Sequence, residues 1–184
     1  VFYVDDDEAM CESVRFLIES VSLPIETFPS ARKFLESYDS SHPGCLLLDV
    51  RMPEMSGLEL QEQLRKRKIN LPIIFITGHG DVPMATRAMK AGAVEFLTKP
   101  FNDQALLDAI QHAIDVDAER REIDVERDTI GERIDNLTPR EYEVMKCVVR
   151  GNLNKVTAFE LGISSKTVEL HRAKIMEKMA AKSL

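Results

Sequence analysis

The chain lacks an apolar run of about 18 residues, the length that a membrane-spanning helix needs. It also lacks a basic, signal-like stretch near its start. These absences argue against a membrane or secreted protein, and we expect a cytoplasmic one. The chain begins at Val1 directly inside an apolar strand pattern, so we expect a few residues to precede it.

Cysteine and histidine are scarce. Cys11, Cys45 and Cys147 lie far apart within apolar patterns, and no two of them share the spacing of metal ligands, which predicts three buried, reduced thiols. None of the 4 histidines fits a catalytic role. His79 lies between two glycines near a predicted site, and we interpret it as a surface loop residue, with contact to that site as the alternative.

Net charge is distributed unevenly. Residues 1–114 carry −6 (11 Lys and Arg against 17 Asp and Glu), and residues 115–136 carry −5 (4 against 9). Residues 137–184 carry +4 (9 against 5). An acidic body with a mildly basic tail suggests that only the tail binds a polyanion. Charge alone fits this interpretation and a chance distribution equally well.

The first 114 residues alternate short apolar runs with helical periodicity. The predicted strands are Val1–Val4, Ile25–Phe28, Cys45–Leu48, Pro72–Ile76 and Val94–Leu97. The predicted helices are Glu8–Ser20, one capped by Ser30, Gly57–Arg67, Val82–Ala91 and one that begins near Asn102 or Asp103. This alternation predicts an α/β fold, a doubly wound, five-stranded parallel sheet of the flavodoxin type.

Residues 115–136 contain no proline, one glycine and charges of alternating sign, which favours a charged helical linker. Ile123, Ile130 and Leu137 recur every seven residues, so a short coiled coil is an alternative. Its second seam, Arg127 and Ile134, fits that alternative poorly.

Residues 137–184 predict a small all-α domain. It opens with Thr138 and Glu141 in capping-box positions. Ala158, Gly162 and Val168 then have the spacing of a helix-turn-helix: a small residue at the helix crossing, a glycine in the turn and an apolar docking residue. The outer face of the second helix could enter a major groove. Its residues are Lys166, Glu169, Leu170 and Ala173, flanked by Arg172 and Lys174.

Polar side chains follow four of the predicted strands. Asp5 and Asp6 follow the first, Asp49 the third, Thr77 the fourth and Lys99 the fifth. The carboxyl ends of such strands are where ligands bind. Carboxylates suit a hard cation such as Mg²⁺ (or Mn²⁺), and a carboxylate can also attack phosphorus. An ammonium and a hydroxyl can contact the oxygens of the transferred group, so the set predicts phosphoryl transfer.

These strand ends resemble the signature blocks of a receiver domain, namely Val4-Asp5-Asp6-Asp7, Leu48-Asp49-Val50-Arg51-Met52-Pro53, Met55-Ser56-Gly57, Ile76-Thr77-Gly78 and Phe96-Leu97-Thr98-Lys99-Pro100. The resemblance covers residues 1–114 and implies that Asp49 is the phospho-acceptor. It implies metal ligation by Asp5, Asp6, Asp49 and the backbone carbonyl of Arg51. It further implies a switch pair in Thr77 and Phe96, and a cis bond between Lys99, which contacts the phosphoryl group, and Pro100.

The tail resembles the effector domain of the FixJ/NarL family, with its LuxR-type helix-turn-helix, and it resembles the FixJ branch more strongly. The similar run extends from Leu137-Thr138-Pro139-Arg140-Glu141 through Leu161-Gly162-Ile163-Ser164 and Lys166-Thr167-Val168 to His171-Arg172. The resemblance implies base reading by Glu169, Leu170 and Ala173, with Lys166, Thr167, Arg172 and Lys174 beside them. Val156-Thr157 departs from the usual amide or acid followed by an apolar residue. The chain stops at Ser183-Leu184, where a fourth helix is expected to begin.

Together these resemblances imply a two-component response regulator that controls transcription. A sensor histidine kinase would donate a phosphoryl group to Asp49, and phosphorylation would control dimerisation and binding to promoter DNA, where RNA polymerase is a further partner. The chain would catalyse only its own phosphorylation and dephosphorylation.

Two other classes of function compete with this interpretation. A haloacid-dehalogenase-like phosphatase needs a second acid two residues past its nucleophile, where this chain has Arg51. A pure protein-interaction module is the other rival, and salt-dependent binding to duplex DNA separates it from a DNA-binding protein.

Overall fold

The computed structural model describes residues 1–78 and 82–181. The chain divides into two compact units, Val1–Arg121 and Glu122–Leu184. The predicted loop position of His79 lies outside the described residues.

The first unit contains a five-stranded parallel sheet, which confirms the predicted fold class. Its strands are β1 (Phe2–Val4), β2 (Glu26–Phe28), β3 (Leu46–Asp49), β4 (Ile73–Thr77) and β5 (Glu95–Thr98). Their order is β2-β1-β3-β4-β5. Each strand ends within a residue or two of the predicted position, because the apolar runs are long enough to mark the buried sheet.

Helices cover both faces of this sheet. They are α1 (Glu8–Ser20), α2 (Ala31–Ser37), α3 (Gly57–Lys66), α4 (Val82–Lys90) and α5 (Asp103–Asp135). Side chains alternate along each strand, so Val4 and Leu48 pack towards α2 and α3 while Tyr3 and Leu47 pack towards α1 and α5. Burying one leucine in such a core stabilises the fold by about 1.5–3 kcal/mol. These two cores are therefore the main source of stability of the sheet.

Helix α5 is one continuous helix of 33 residues. Its residues as far as Arg121 belong to the first unit, so the beginning of the stretch predicted as a linker packs on the sheet domain. Farther along, Ile123 is 63% exposed and Ile130 is 47% exposed. Leu137, the third residue of that seven-residue pattern, is buried in the core of the second unit.

Asp117, Arg120 and Arg121 form an ionic cluster, the Asp117 cluster, on α5. Asp117 is only 1% exposed and accepts a 2.9 Å hydrogen bond from the backbone N–H of Gly44, two residues before β3. Arg121 Nε lies 2.7 Å from Asp117 Oδ2, and Arg120 pairs with the other carboxylate oxygen. Because Arg120 also donates to the carbonyl of Asn70, the cluster joins α5 to the amino ends of two central strands.

Arg121 completes this attachment. Its guanidinium donates to the backbone carbonyls of Ser40, Ser41 and His42, the last at 2.6 Å. The segment that precedes β3 is therefore held by one arginine side chain at three successive carbonyls.

The three cysteines are buried and free, as their apolar surroundings predict. Burial raises the pKa of Cys11 to about 11 and that of Cys45 to about 12. Burial also raises the pKa of Cys147. All three are therefore protonated thiols at neutral pH.

The second unit contains α6 (Pro139–Val149), α7 (Asn154–Leu161) and α8 (Ser165–Met179). Leu137, Val144, Ala158, Val168 and Ile175 form its core. Gly162 adopts a φ of +64° in the turn between α7 and α8, a left-handed conformation that glycine reaches without steric cost. The predicted helix-turn-helix is therefore present.

Glu141 stabilises the start of α6. Thr138 and Glu141 form the predicted capping box, and Lys178 Nζ on α8 lies 2.7 Å from Glu141 Oε2. The hydrogen bond from Lys178 is the largest cause that lowers the pKa of Glu141 to about 2. The capping residue is therefore ionised at neutral pH and ties α6 to α8.

The departure at Val156-Thr157 has a visible consequence. Val156 is exposed, while Thr157 is fully buried in the position that an apolar residue would fill. Among the described residues the hydroxyl of Thr157 has no hydrogen-bond partner. Helix α7 packs in spite of this polar atom. Burying a hydroxyl without a partner lowers stability by about 1–3 kcal/mol.

Within the described ranges, no helix combines the length and the apolar character that crossing a bilayer requires.

Candidate functional site

The sheet order brings the predicted phosphoryl-transfer residues to one edge. Strands β1, β3 and β4 are neighbours, with Val4 opposite Leu48 and Asp49 opposite Ile76. Asp5 follows β1, Asp49 ends β3, and Thr77 ends β4. Their side chains therefore leave the sheet at its carboxyl edge, where the topology predicts a ligand site.

Lys99 bridges the two buried carboxylates. Its Nζ lies 2.7 Å from Asp5 Oδ2 and 2.9 Å from Asp49 Oδ1. The other oxygen of Asp49 accepts a 2.6 Å hydrogen bond from the backbone N–H of Arg51. Lys99 is held in turn by its own backbone N–H, which donates to the carbonyl of Thr77 at 2.8 Å. The peptide bond between Lys99 and Pro100 is cis, as the resemblance implies.

Electrostatics favour a charged lysine beside an ionised aspartate. Burial raises the pKa of Asp49, and the hydrogen bond from Lys99 opposes that rise. Burial also lowers the pKa of Lys99, but its hydrogen bonds to Asp5 and Asp49 outweigh this and raise it overall. Lys99 is therefore cationic at neutral pH, and its charge favours the nucleophilic, ionised form of Asp49.

The remaining predicted residues surround this centre. Asp6 and Arg51 are exposed, Thr77 is buried, and Phe96 is half-buried with its ring 6.1 Å from that of Phe75. The contact that Arg51 makes with Asp49 is through its backbone N–H, so ligation through its carbonyl stays a prediction.

The oxygen atoms present suit a hard cation. Asp5, Asp6 and Asp49 supply carboxylates and Arg51 a carbonyl, the donor types that Mg²⁺ and Mn²⁺ prefer. In residues 1–78 and 82–181, however, no three acidic, histidine or cysteine side chains converge into a ready-made metal site. A cation bound here would compete with the Lys99 ammonium for the same carboxylates.

Sequence reasoning missed two residues that shape the site. The hydroxyl of Tyr3, buried in the sheet, donates to Asp5 Oδ2, and no motif marks a tyrosine within an apolar strand. Gly57, at the start of α3, packs directly on the backbone of Asp49. Gly57 belongs to the receiver-like motif Met55-Ser56-Gly57, but the sequence alone assigns it no contact.

Gly57→Ala should weaken both the fold and the site. A Cβ at this position would lie 2.2 Å from the carbonyl oxygen of Asp49, and a backbone atom cannot rotate away. We expect a loss of about 1–3 kcal/mol in the free energy of unfolding, together with slower labelling by a phosphodonor, because Asp49 must move. Urea unfolding and a labelling time course measure the two effects.

Gly131→Ala is the matched control. A Cβ at Gly131, inside α5, would meet no atom within 4 Å, so this change should instead add about 0.5–1 kcal/mol to helix stability. Equal stability of the two variants would contradict the proposed close approach.

The predicted DNA-contact residues separate into two groups on α8. Lys166, Glu169, Ala173, Lys174 and Leu170, which is 58% exposed, point to solvent. Thr167 and Arg172 are half-buried, and their side chains already make internal hydrogen bonds: the Thr167 hydroxyl with that of Ser164, and Arg172 to Asn154. Asn154, to which the sequence assigned no role, therefore orients a predicted contact residue.

The family follows from comparison with known proteins. The family description "response regulator receiver domain" matches residues 1–111, and "bacterial regulatory proteins, luxR family" matches residues 135–184. The chain is a response regulator. Its domains are those of a phosphorylation-dependent, two-component transcriptional regulator.

Individual relatives cover the whole of this response regulator. The response regulator protein TodT of Pseudomonas putida is 48% identical over 184 residues, which make up 100% of this chain and 81% of TodT. The transcriptional regulatory protein FixJ of Rhizobium meliloti is 45% identical over 185 residues, covering 100% of this chain and 90% of FixJ. The solved structure of response regulator StyR superposes with a TM-score of 0.86 at 49% identity, covering 99% of this chain and 92% of StyR.

Proposed function

We propose that residues 1–114 accept a phosphoryl group at Asp49 and that residues 137–184 bind promoter DNA. Residues 115–136 act as a charged helical linker whose first part, as far as Arg121, is anchored on the first unit. The observation that carries this proposal is the Lys99 bridge between Asp5 and Asp49. It places a nucleophile and a cation for the transferred group side by side at the edge where ligands bind.

The chemical step transfers the phosphoryl group from a phosphohistidine of a sensor kinase. An oxygen of Asp49 attacks phosphorus, a P–O bond forms, the P–N bond breaks, and the histidine leaves with its electron pair and takes a proton. Lys99 already donates to Asp49 and can donate to the phosphoryl oxygens as charge shifts onto them. Thr77 and Phe96 are the residues that respond to the new group.

Mg²⁺, or Mn²⁺, would be held by Asp5, Asp6, Asp49 and the carbonyl of Arg51, and would supply further positive charge for the phosphoryl oxygens. Asp6 is exposed to solvent, so a donor can reach this side of the site. The receiver thereby catalyses only its own phosphorylation and dephosphorylation.

The regulatory outcome that we propose is assembly. A single small helix-turn-helix makes few phosphate contacts, whereas two copies on adjacent half-sites multiply their affinities. A phosphorylated homodimer would therefore bind a promoter for which the monomer has too little affinity. RNA polymerase would be its partner at that promoter. This activity belongs in the cytoplasm, which holds the bacterial chromosome.

Phosphorylation should convert the chain from monomer to dimer and raise its affinity for specific duplex DNA. Sedimentation velocity at micromolar concentration, with and without a small phosphodonor and Mg²⁺, measures assembly, and a titration with duplexes selected from a random pool measures affinity. The affinity for duplex DNA should fall steeply as the salt concentration rises, because binding releases counterions from the DNA phosphates. Salt-independent binding would favour the protein-interaction rival. A phosphorylated monomer with raised DNA affinity would instead favour shielding of the tail by the acidic body.

Glu169→Ala should relax sequence preference without weakening general DNA affinity. An exposed carboxylate on α8 can accept a hydrogen bond from a cytosine amine, yet it repels phosphates. We expect a loss of discrimination of about 1–3 kcal/mol at one base pair, read out by selection from random duplexes. Glu177→Ala, an exposed charge change on the same helix, is the control and should select the wild-type motif. An unchanged motif with Glu169→Ala would refute the assignment.

A further inference from the structure

The hydroxyl of Tyr3 is an unusual group in an otherwise apolar core. Tyr3 is fully buried, and its ring packs among residues of β3, β4, α1 and α5, such as Leu47, Ile76 and Leu106. A phenylalanine would fill the same space without a polar atom to satisfy. Burying a hydroxyl costs free energy unless it is hydrogen-bonded, so the partner of this hydroxyl indicates what it does.

That partner is Asp5, two residues farther along the chain and on the same side of the strand. The hydroxyl donates to Asp5 Oδ2 at 2.5 Å, and this is its one hydrogen bond within the described residues. Burial raises the pKa of Tyr3, so the hydroxyl keeps its proton and remains a neutral donor.

Asp5 is held by three donors of different character. Its Oδ1 accepts from the backbone N–H of Asp7 at 2.9 Å, while Oδ2 accepts from both Tyr3 and Lys99. Lys99 is shared with Asp49 and is the group that can turn to a phosphoryl oxygen. Tyr3 has no such second task, because its ring is fixed in the core.

We propose that Tyr3 is a positioning residue for the cation site: its hydroxyl holds the Asp5 carboxylate in one orientation, including when Lys99 leaves it for the phosphoryl group. This inference rests on the proposed function, since it takes Asp5 as a cation ligand. Hydrogen-bond partners of ligating carboxylates fix the ligand orientation, and their removal weakens metal binding roughly 10–100-fold.

The test is the affinity of the full chain for Mg²⁺, measured by calorimetric titration without a phosphodonor. Tyr3→Phe should raise the dissociation constant roughly tenfold, the lower end of that range, because the backbone of Asp7 still holds the other oxygen. Tyr38→Phe is the matched control: Tyr38 packs on Phe2 and Phe34 in the other core of the same unit, and its loss should leave Mg²⁺ affinity unchanged.

A second measurement separates positioning from general stability. In labelling by a small phosphodonor, Tyr3→Phe should shift the Mg²⁺ concentration for half-maximal rate by the same factor, while the rate at saturating Mg²⁺ stays within a few-fold of wild type. A purely structural role would lower thermal stability in chelator without this shift. Tyr3→Leu, which lacks the ring as well, should match the loss of affinity in Tyr3→Phe if the hydroxyl is the cause.

The outcomes are distinct. Wild-type Mg²⁺ affinity in Tyr3→Phe would overturn the inference, as would a loss confined to Tyr3→Leu. A wild-type chain that binds Mg²⁺ but takes no label would refute the proposed function alone, because the affinity measurement needs no phosphorylation. A wild-type chain that binds no Mg²⁺ would overturn both the cation site and the role of Tyr3.

Discussion

An Asp49→Asn protein should take up no label from a small phosphodonor, while the unchanged chain labels readily. The amide of asparagine cannot attack phosphorus as a carboxylate does, and the side chain that Lys99 pairs with loses its charge. Asp49 lies at the convergent edge, is buried and pairs with Lys99. Asp5 shares these features, but its two oxygens already accept three hydrogen bonds. Incorporation of labelled phosphate, followed by peptide mapping, measures the effect.

The matched control is Asp39→Asn, an exposed carboxylate in a loop of the same unit. It should label at the wild-type rate, and excess chelator should stop labelling in both the control and the wild type. Wild-type labelling of the Asp49→Asn protein would mean that another residue is the acceptor, and the assignment of the whole strand-end set would fail with it.

Asp117→Ala should cost the first unit about 3 kcal/mol of unfolding free energy. Removing one partner of a buried ion pair typically costs about 3–5 kcal/mol, because the other charge loses its compensation. We expect a loss at the low end of this range, because the side chains of Arg120 and Arg121 are 27% and 28% exposed and can turn to water. The N–H of Gly44 also loses its acceptor. Urea unfolding followed by circular dichroism gives the magnitude.

Two further variants give this prediction its controls. Asp117→Asn keeps an acceptor for Gly44 but removes the charge, so it should lie between Asp117→Ala and wild type. Asp124→Ala, at an exposed position on the same helix, should change stability by less than about 0.5 kcal/mol. Hydrogen exchange should show faster opening of residues 40–44 in Asp117→Ala, and unchanged exchange there would contradict the role of the Asp117 cluster.

Local signals predicted most of the fold. The strands can be recognised in the sequence because a parallel sheet covered on both faces needs continuous apolar runs. Ser30 caps α2 and Thr138 caps α6, as predicted, because a hydroxyl before a helix satisfies its first backbone donors. The sheet order then places Asp5, Asp49 and Lys99 together without any further information.

The missed features depend on contacts between residues distant in sequence. The bond between Gly44 and Asp117 joins positions 73 residues apart, and a charged helix gives no sign that one of its acids is buried. Gly57 meets the carbonyl of Asp49 only after α3 has packed on the sheet. For Tyr3, periodicity predicts burial but cannot say which polar atom its hydroxyl will meet.

The buried cysteines give each compact unit a chemical reporter of its own opening. A thiol reacts as the thiolate, and burial raises the pKa of Cys11, Cys45 and Cys147, so the folded chain holds less thiolate than the unfolded chain. Cys11 and Cys45 belong to the first unit and Cys147 to the second. An alkylating reagent should therefore modify each unit only as fast as that unit unfolds, so one mass spectrum records the stability of both without an added probe.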